Sequence, residues 1–254
     1  MEITFLGTGT SQGVPVIGCD CEVCLSEDPR DKRLRCSIMV SINGKNIVVD
    51  TGPDFREQML RAGVKDVEAV LITHEHRDHI AGLDDVRPFN FIHKKDMPVY
   101  TTRHVAELLK KSFWYIFDAP FYPGIPQIKL HEINKDDPFT VSGVEITPIE
   151  VMHYKLPVLG FRFGGFTYIT DAKTIAEEEK LKIKGTKTLV LNALRKEEHI
   201  SHLNLEQALT LIDELKPERA YLTHASHLLG LHQNIQDELP ENVFLAYDGL
   251  KISV

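Results

Sequence analysis

The chain has no stretch approaching the roughly 18 consecutive apolar residues of a membrane span, although hydrophobic types make up 43% of its 254 residues. Its opening residues, Met1-Glu2-Ile3-Thr4-Phe5-Leu6, carry neither the basic run nor the apolar stretch of a signal peptide. A cytoplasmic location is therefore expected. Positive charge is scarce as well: Lys and Arg total 29 against 37 Asp and Glu, for a formal charge of -8. That balance argues against a broad electropositive face for nucleic acid or anionic lipid, while leaving room for a local basic pocket. No Gly-Lys-Ser/Thr follows Gly7-Thr8-Gly9, so those glycines do not form a nucleotide-phosphate loop, although they could approach a site closely. Cysteine is limited to four residues, with Cys19, Cys21 and Cys24 crowded together. Such crowding excludes a disulfide framework, suits a shared metal, and fits a reducing compartment.

No low-complexity linker and no internal repeat divides the sequence, so one domain over residues 1–254 is expected. Short β-rich runs fall at 3–6, 37–42, 47–49, 69–72, 144–151, 159–163, 166–169, 189–191, 220–222 and 243–246. Helical patterns lie between them at about 54–62, 103–113, 175–181 and 205–215. The interleaving predicts sheets covered by helices. A proline-rich stretch, 120–126, reads as a loop joining two halves. The aromatic stretch 113–121 reads equally well as a cover over a pocket or as a helix end packed on the core.

The strongest signal is Thr73-His74-Glu75-His76-Arg77-Asp78-His79, which follows the apolar run Ala69-Val70-Leu71-Ile72. A strand delivering four donors to its C-terminal edge matches a site built on loops over a rigid sheet. On an irregular turn His74 and His76 suit one cation, while Asp78 and His79 can turn toward a second. Imidazole and carboxylate donors together suit Zn²⁺, Mn²⁺ or Fe²⁺. Three more donors end apolar runs: His153 after 144–151, Asp171 after 166–169, and His224 after 220–222. Each alone is an ordinary turn residue. Together they supply ligands that the first four cannot.

A second set, Cys19, Cys21 and Cys24, offers three thiolates in one loop, and a closed structural zinc site needs a fourth donor. His227, three residues after His224 in Thr223-His224-Ala225-Ser226-His227, is the candidate. This zinc would pin the N-terminal loop beside the first centre without entering its chemistry. Cys36 is expected to be a buried small hydrophobe.

These motifs resemble the metallo-β-lactamase superfamily, whose ligands are H-x-H-x-D-H, a later His, a bridging Asp and a last His. The resemblance runs from Gly7-Thr8-Gly9 through Asp50-Thr51-Gly52 to His224 and implies a four-layer αββα sandwich. It assigns His74, His76 and His153 to one metal, Asp78, His79 and His224 to the second, and Asp171 to both. The cofactors implied are two divalent metals, Zn or Mn, in a catalytic centre, and one structural Zn. The superfamily's redox diiron branch usually has Glu where this chain has His76, which favours hydrolysis. The C-x-C-x-x-C loop with an intact histidine motif is similar to the PhnP-type branch, which includes phosphoribosyl 1,2-cyclic phosphate phosphodiesterase. The branch that makes pyrroloquinoline quinone shares the cysteine loop but usually alters the histidines.

The expected reaction is therefore hydrolysis of a small, cyclic phosphodiester by a metal-bridging hydroxide. Asp78 and His202 are the residues assigned to catalysis, with His202, in Ser201-His202-Leu203-Asn204, as proton donor. The PhnP-type pattern has a histidine at that point, and His199 competes for the role. Arg87 could bind a substrate phosphate, but pairing with Asp84 or Asp85 is the stronger expectation. Surface or packing roles are the default for His93, His104, His131 and His232. The expected partner is a small phosphodiester, without membrane or long nucleic acid, and a homodimer is one assembly compatible with this. Other readings are a nuclease of the transfer-RNA 3′ processing type, a thioesterase or lactonase, and a non-catalytic metal-binding scaffold.

Overall fold

In the computed structural model, which describes residues 1–118 and 122–254, the apolar runs fold as strands. In chain order these are β1 (Glu2–Gly7), β2 (Ser37–Ile42), β3 (Lys45–Val49), β4 (Ala69–Leu71), β5 (Met97–Thr101), β6 (Ile128–Glu132), β7 (Phe139–Val141), β8 (Val144–His153), β9 (Leu156–Phe163), β10 (Phe166–Tyr168), β11 (Thr188–Asn192), β12 (Arg219–Thr223), β13 (Val243–Leu245) and β14 (Lys251–Ser253). The helices are α1 (Glu22–Leu25), α2 (Phe55–Arg61), α3 (Arg77–Ile80), α4 (Arg87–His93), α5 (Arg103–Ser112), α6 (Trp114–Phe117), α7 (Glu177–Ile183), α8 (Leu205–Leu215) and α9 (His232–Glu238).

Two seven-stranded sheets form, with orders β14-β1-β2-β3-β4-β5-β6 and β13-β12-β11-β10-β9-β8-β7. Each is part antiparallel and part parallel. In the first, β3 through β6 run parallel, and in the second β10 through β13 do. Three apolar layers hold the stack together. Ile3, Phe5, Ile38 and Val40 of one sheet pack on Phe161, Tyr168, Val190 and Tyr221 of the other. Phe55, Met59, Val105 and Leu109 cover the outer face of the first sheet, and Leu205, Ala208, Leu211 and Ile212 that of the second. The result is the αββα sandwich, in which the apolar faces of sheets and helices are buried against neighbouring layers.

Parallel pairing places the ends of successive strands on one edge, so residues following β3, β4, β10 and β12 are gathered there. Strand β8 lies antiparallel to β9, which lies antiparallel to β10, so the end of β8 reaches the same edge. Helix α8 starts where Asn204 accepts from the Gln207 N–H and the Gln207 side chain accepts from the Asn204 N–H. Helix α5 starts on Thr102, which caps Val105.

Several elements differ from expectation. Strands β5, β6, β7 and β14 and helices α1, α3, α4, α6 and α9 were not expected from the pattern, and Asp78 and His79 lie on the helical turn α3 rather than on an irregular one. Residues 119–121 lie outside the described residues, and with them parts of the expected 120–126 loop and 113–121 segment. Within the described part, Phe113 is buried in the core and Tyr115, Ile116 and Phe117 pack against it, while Trp114 is exposed. Packing on the core therefore accounts for residues 113 and 115–117. Among the described residues no helix is long and apolar enough to cross a membrane.

Candidate metal centre

Strand ends deliver the donors. Three of the residues involved, Asp50, Asp171 and His224, turn out of their strands in left-handed backbone conformations, with φ of 66, 59 and 58°. Non-glycine residues rarely adopt that region, and such strain is typical of functional sites. Gly52 makes the approach of α3 possible: a Cβ there would stand 2.1 Å from the carbonyl oxygen of Asp78. Thr51 N–H donates to His79 O at 2.8 Å, fastening α3 to the end of β3.

The structure brings His74, His79 and Asp171 into one group of donor atoms within 4.8 Å of one another, and His153, Asp171 and His202 into another. Asp171 belongs to both. His76 and Asp78 border these groups: the His76 ring lies 4.6 Å from His74 and 5.2 Å from His153, and Asp78 Oδ2 lies 3.2 Å from His79 Nε2. His224 Nδ1 lies 3.3 Å from Asp171 Oδ2. All seven donors read from the sequence thus meet at one edge. Proximity alone also sets His74 beside His79, and sets His202, expected as a proton donor, beside His153 and Asp171.

Proton bookkeeping shows what the cluster can hold. The Thr73 hydroxyl has one proton and donates it to Asp50 Oδ2 at 2.9 Å, so the His74 Nδ1–H donates to Thr73 Oγ1 at 2.9 Å and Nε2 is left bare. His79 Nδ1–H donates to Asp50 Oδ2 at 2.7 Å, aiming Nε2 at Asp78 Oδ2 and at Asp171 Oδ2, 3.3 Å away. His153 Nδ1–H donates to Ser201 O at 2.8 Å, which likewise frees Nε2. Both His74 Nε2 and His79 Nε2 are buried without a hydrogen-bond partner, as is His202 Nδ1. Buried nitrogens facing carboxylates call for a positive charge at that point, which either a proton or a metal ion supplies.

Charge preferences agree. Burial pushes His74 well below the usual imidazole range, and it pushes His224 down too. Burial alone would raise Asp171, yet His224, His79 and His74 hold it well below the usual carboxylate range. His79 is buried as well, but Asp171, Asp50 and Asp78 overcome that cost and push it well above its ordinary value, so positive charge is favoured among these carboxylates. Neutral imidazoles and ionised carboxylates are the forms that ligate a divalent cation, and the donor set fits one.

Asp50 is a functional residue whose role sequence reasoning missed. It is fully buried and accepts from Thr73 N–H at 2.8 Å, from the Thr73 hydroxyl and from His79. Burial pushes its carboxyl up, and these donors offset part of that. Only its place after an apolar run, in Asp50-Thr51-Gly52, signalled it.

The second set also assembles. Cys19, Cys21 and Cys24 Sγ and a ring nitrogen of His227 lie within 4.8 Å of one another. His227 Nδ1 is 3.3 Å from both Cys19 Sγ and Cys21 Sγ. The Cys24 N–H, followed by His227, lowers Cys21 to about 6, a thiolate-ready value. Burial raises Cys24 to about 11. Three sulfurs and an imidazole match the donor set of a tetrahedral zinc site. The loop carrying His224 to the first cluster carries His227 to this one, and Ser226 N–H between them donates to Leu194 O at 2.9 Å.

Between the two clusters opens a cavity of about 200 Å³ lined by Thr10, Gln12, Arg195, His199, His202 and His227 among others. Thr10 Oγ1 reaches His224 Nε2 at 3.3 Å, so the loop after Gly9 does approach the site. His202 is 8% exposed, and burial pushes it down to about 2. Arg195 donates to Glu198 O at 2.7 Å and has no carboxylate partner among the described residues. Arg87 pairs with neither Asp84 nor Asp85. It donates to Gly124 O at 3.1 Å, and Asp84 accepts instead from the Tyr115 hydroxyl at 2.5 Å, because the fold brings a different partner to each. His232 is buried, which is the packing role of the two expected for it.

Comparison with known proteins agrees with this architecture. Residues 45–225 match the model of the β-lactamase superfamily domain. An octanoyltransferase from Porphyromonas gingivalis is 42% identical over 253 residues, covering 99% of this chain and 51% of that protein. The chain spans about half the length of the curated relatives it matches. The crystal structure of a diphosphatase from the PhnP family superposes with a TM-score of 0.93 at 40% identity, covering 100% of this chain and 97% of that one. Zn²⁺-bound PqqB from Methylobacterium extorquens shares the fold, with a TM-score of 0.81 at 19% identity and full coverage of both chains. With sheet order, donor cluster and sequence match in agreement, the chain belongs to the metallo-β-lactamase superfamily, in its PhnP-type branch.

Proposed function

We propose that this protein is a dinuclear metal-dependent phosphodiesterase acting on a small, cyclic phosphodiester of the ribosyl phosphate kind. The observation that carries the reading is Asp171, whose carboxylate is common to two groups of donor atoms. His74, His76 and His153 would hold one metal and Asp78, His79 and His224 the other, with Asp171 serving both. Divalent cations so held lower the pKa of a water and offset charge on phosphoryl oxygens.

The protein's own groups do the rest. Asp50, Thr73 and Ser201 fix the tautomers of His79, His74 and His153, so that bare nitrogens face inward. The cavity beside His202 suits a compact leaving group, and Arg195 offers it a positive charge in a chain that is otherwise acidic. His202 donates the proton to the departing oxygen. Burial keeps its resting ring uncharged, so the proton it hands on is the one released by the attacking water, and the anionic substrate beside it offsets the cost of charging the ring in between. The three cysteines and His227 would hold a structural zinc that fixes the wall shared by cavity and loop.

Support from relatives is of two kinds. A PhnP-family diphosphatase favours phosphorus as the centre attacked. The octanoyltransferase name belongs to a protein about twice as long, and it makes an acyl substrate the alternative to test. The deciding assay offers the metal-loaded protein a ribosyl cyclic phosphate, a 2′,3′-cyclic nucleotide, a diphosphate ester, a short oligonucleotide and an acyl thioester. Preference for the cyclic phosphates supports the proposal. Turnover of the thioester alone would overturn it.

A further inference from the structure

Beside the carboxylate shared by the two donor groups, a set of buried hydroxyls meets at one sulfur. Cys36 precedes β2 in the first sheet, but its partners belong to the second: Tyr168 Oη at the end of β10 and Thr223 Oγ1 at the end of β12 each lie 3.2 Å from Cys36 Sγ. Among the described residues that sulfur is the only hydrogen-bond partner of either hydroxyl. Thr170 Oγ1 stands 3.8 Å from the same sulfur, 2.6 Å from Asp171 Oδ2 and 3.3 Å from His224 Nδ1. Tyr168, Thr170 and Thr223 have no solvent exposure, and Cys36 has 2%. A small hydrophobe would account for the burial of Cys36 but not for three oxygens placed around its sulfur.

Thr170 has a single hydroxyl proton. A carboxylate at 2.6 Å is a far better acceptor than a sulfur at 3.8 Å, so Thr170 donates to Asp171 and offers its lone pairs to Cys36 and His224. The S–H then has one acceptor on the side of the centre, and the hydroxyls of Tyr168 and Thr223 hold the sulfur from the other strands. We infer that Cys36 is a positioning residue for Asp171: it locks Thr170, and Thr170 orients the carboxylate that both donor groups use. Because it also ties the first sheet to the second, it fixes the donors after β10 and β12 relative to the layer that carries His74 and His79. This inference rests on the reading of Asp171 as a shared ligand, and not on the identity of the substrate.

The test compares Cys36→Val, which keeps volume and removes the sulfur's hydrogen bonds, with Cys36→Ser, which keeps a donor and acceptor. Metal affinity of the histidine and aspartate centre is read in the full chain by competition with a chromogenic chelator, alongside Tm of the metal-stripped protein. Cys36→Val is expected to weaken that affinity about tenfold, and Cys36→Ser to recover it to within about threefold of the parent. Tyr168→Phe, which deletes one oxygen, is expected to weaken it about threefold, and it serves if Cys36→Val does not fold. Parent-like affinity in Cys36→Val, or in Tyr168→Phe where that variant serves, would overturn the assignment whatever the Tm. A parent protein that binds no metal at this centre defeats the shared-ligand reading and the inference together. A parent that binds metal yet cleaves no phosphodiester fails only the substrate proposal.

Discussion

Asp50 Oδ2 accepts a hydrogen bond from His79 Nδ1–H at 2.7 Å, and both side chains are fully buried. This contact spans 29 residues of sequence and joins the end of β3 to the helical turn after β4. It fixes which nitrogen of His79 faces Asp171. It also leaves Asp50 with a partner at each donor it meets, which is what allows a carboxylate to be buried there.

Asp50→Ala removes the acceptor for His79 and for two Thr73 donors at once. Metal affinity at the histidine and aspartate centre should fall 10- to 100-fold, by about the effect of losing an outer-shell partner. Urea denaturation of the stripped protein should show a loss of roughly 1–3 kcal/mol for the donors left unpaired. Isothermal titration with Zn²⁺ or Mn²⁺ reads the first quantity. An unchanged affinity would remove Asp50 from the account.

The backbone approach at Gly52 gives a steric prediction. In Gly52→Ala the new methyl would meet the Asp78 carbonyl oxygen at 2.1 Å, and backbone cannot rotate aside as a side chain can. A destabilisation of about 1–3 kcal/mol is expected, together with loss of metal at the Asp78 side. Gly165→Ala, whose new methyl meets only Lys187 side-chain atoms at 3.6 Å or beyond, is the control. A Gly52→Ala protein as stable as that control would contradict the packing described.

The motif His74 to His79 was legible because its donors sit within one turn of chain, where spacing alone implies convergence. His153, Asp171 and His224 were legible as polar residues ending apolar runs. Asp50 shared that signature, but its work depends on a partner brought near only by parallel pairing of β3 and β4. The sheets were readable where apolar residues run together, as in β4 and β11. Strand β5 contains Pro98, β6 mixes charge with apolar residues, and β14 is three residues long at an edge, so none shows a strong period. Arg87 was misjudged because nearness in sequence to Asp84 and Asp85 says nothing of Gly124, which the fold brings to it.

His232 makes stability depend on pH. Burial, and after it the Arg33 guanidinium whose Nη2 lies 3.2 Å from His232 Nδ1, hold the ring down to about 4 from an ordinary 6.5. Between those values the unfolded chain binds a proton that the folded protein refuses. Stability is therefore fully present above 6.5 and is lost as pH falls toward 4, by about 3 kcal/mol at most. In metal-stripped protein, His232→Gln should flatten this part of the curve relative to the parent. Parallel curves for the two proteins would show that His232 is not the group responsible.

His202→Ala should cut turnover by about 10²–10⁴ while both catalytic metals remain bound, as expected for a lost proton donor. His199→Ala should cost less than about tenfold, since its Nδ1 is occupied by Ser201 N–H at 3.3 Å. Mass spectrometry under native conditions gives the metal count. Loss of one metal from His202→Ala would make His202 a ligand, in line with its place beside His153 and Asp171.

The central claim is that hydrolysis belongs to a pair of metals sharing Asp171, with a third held by cysteine. Metal-stripped protein is titrated with Zn²⁺ while cleavage of bis-(p-nitrophenyl) phosphate is followed. The account predicts no turnover without metal, filling of the cysteine site with little activity, and full turnover only as two further equivalents bind. Cleavage that survives stripping, or no cleavage by fully loaded protein, would contradict it.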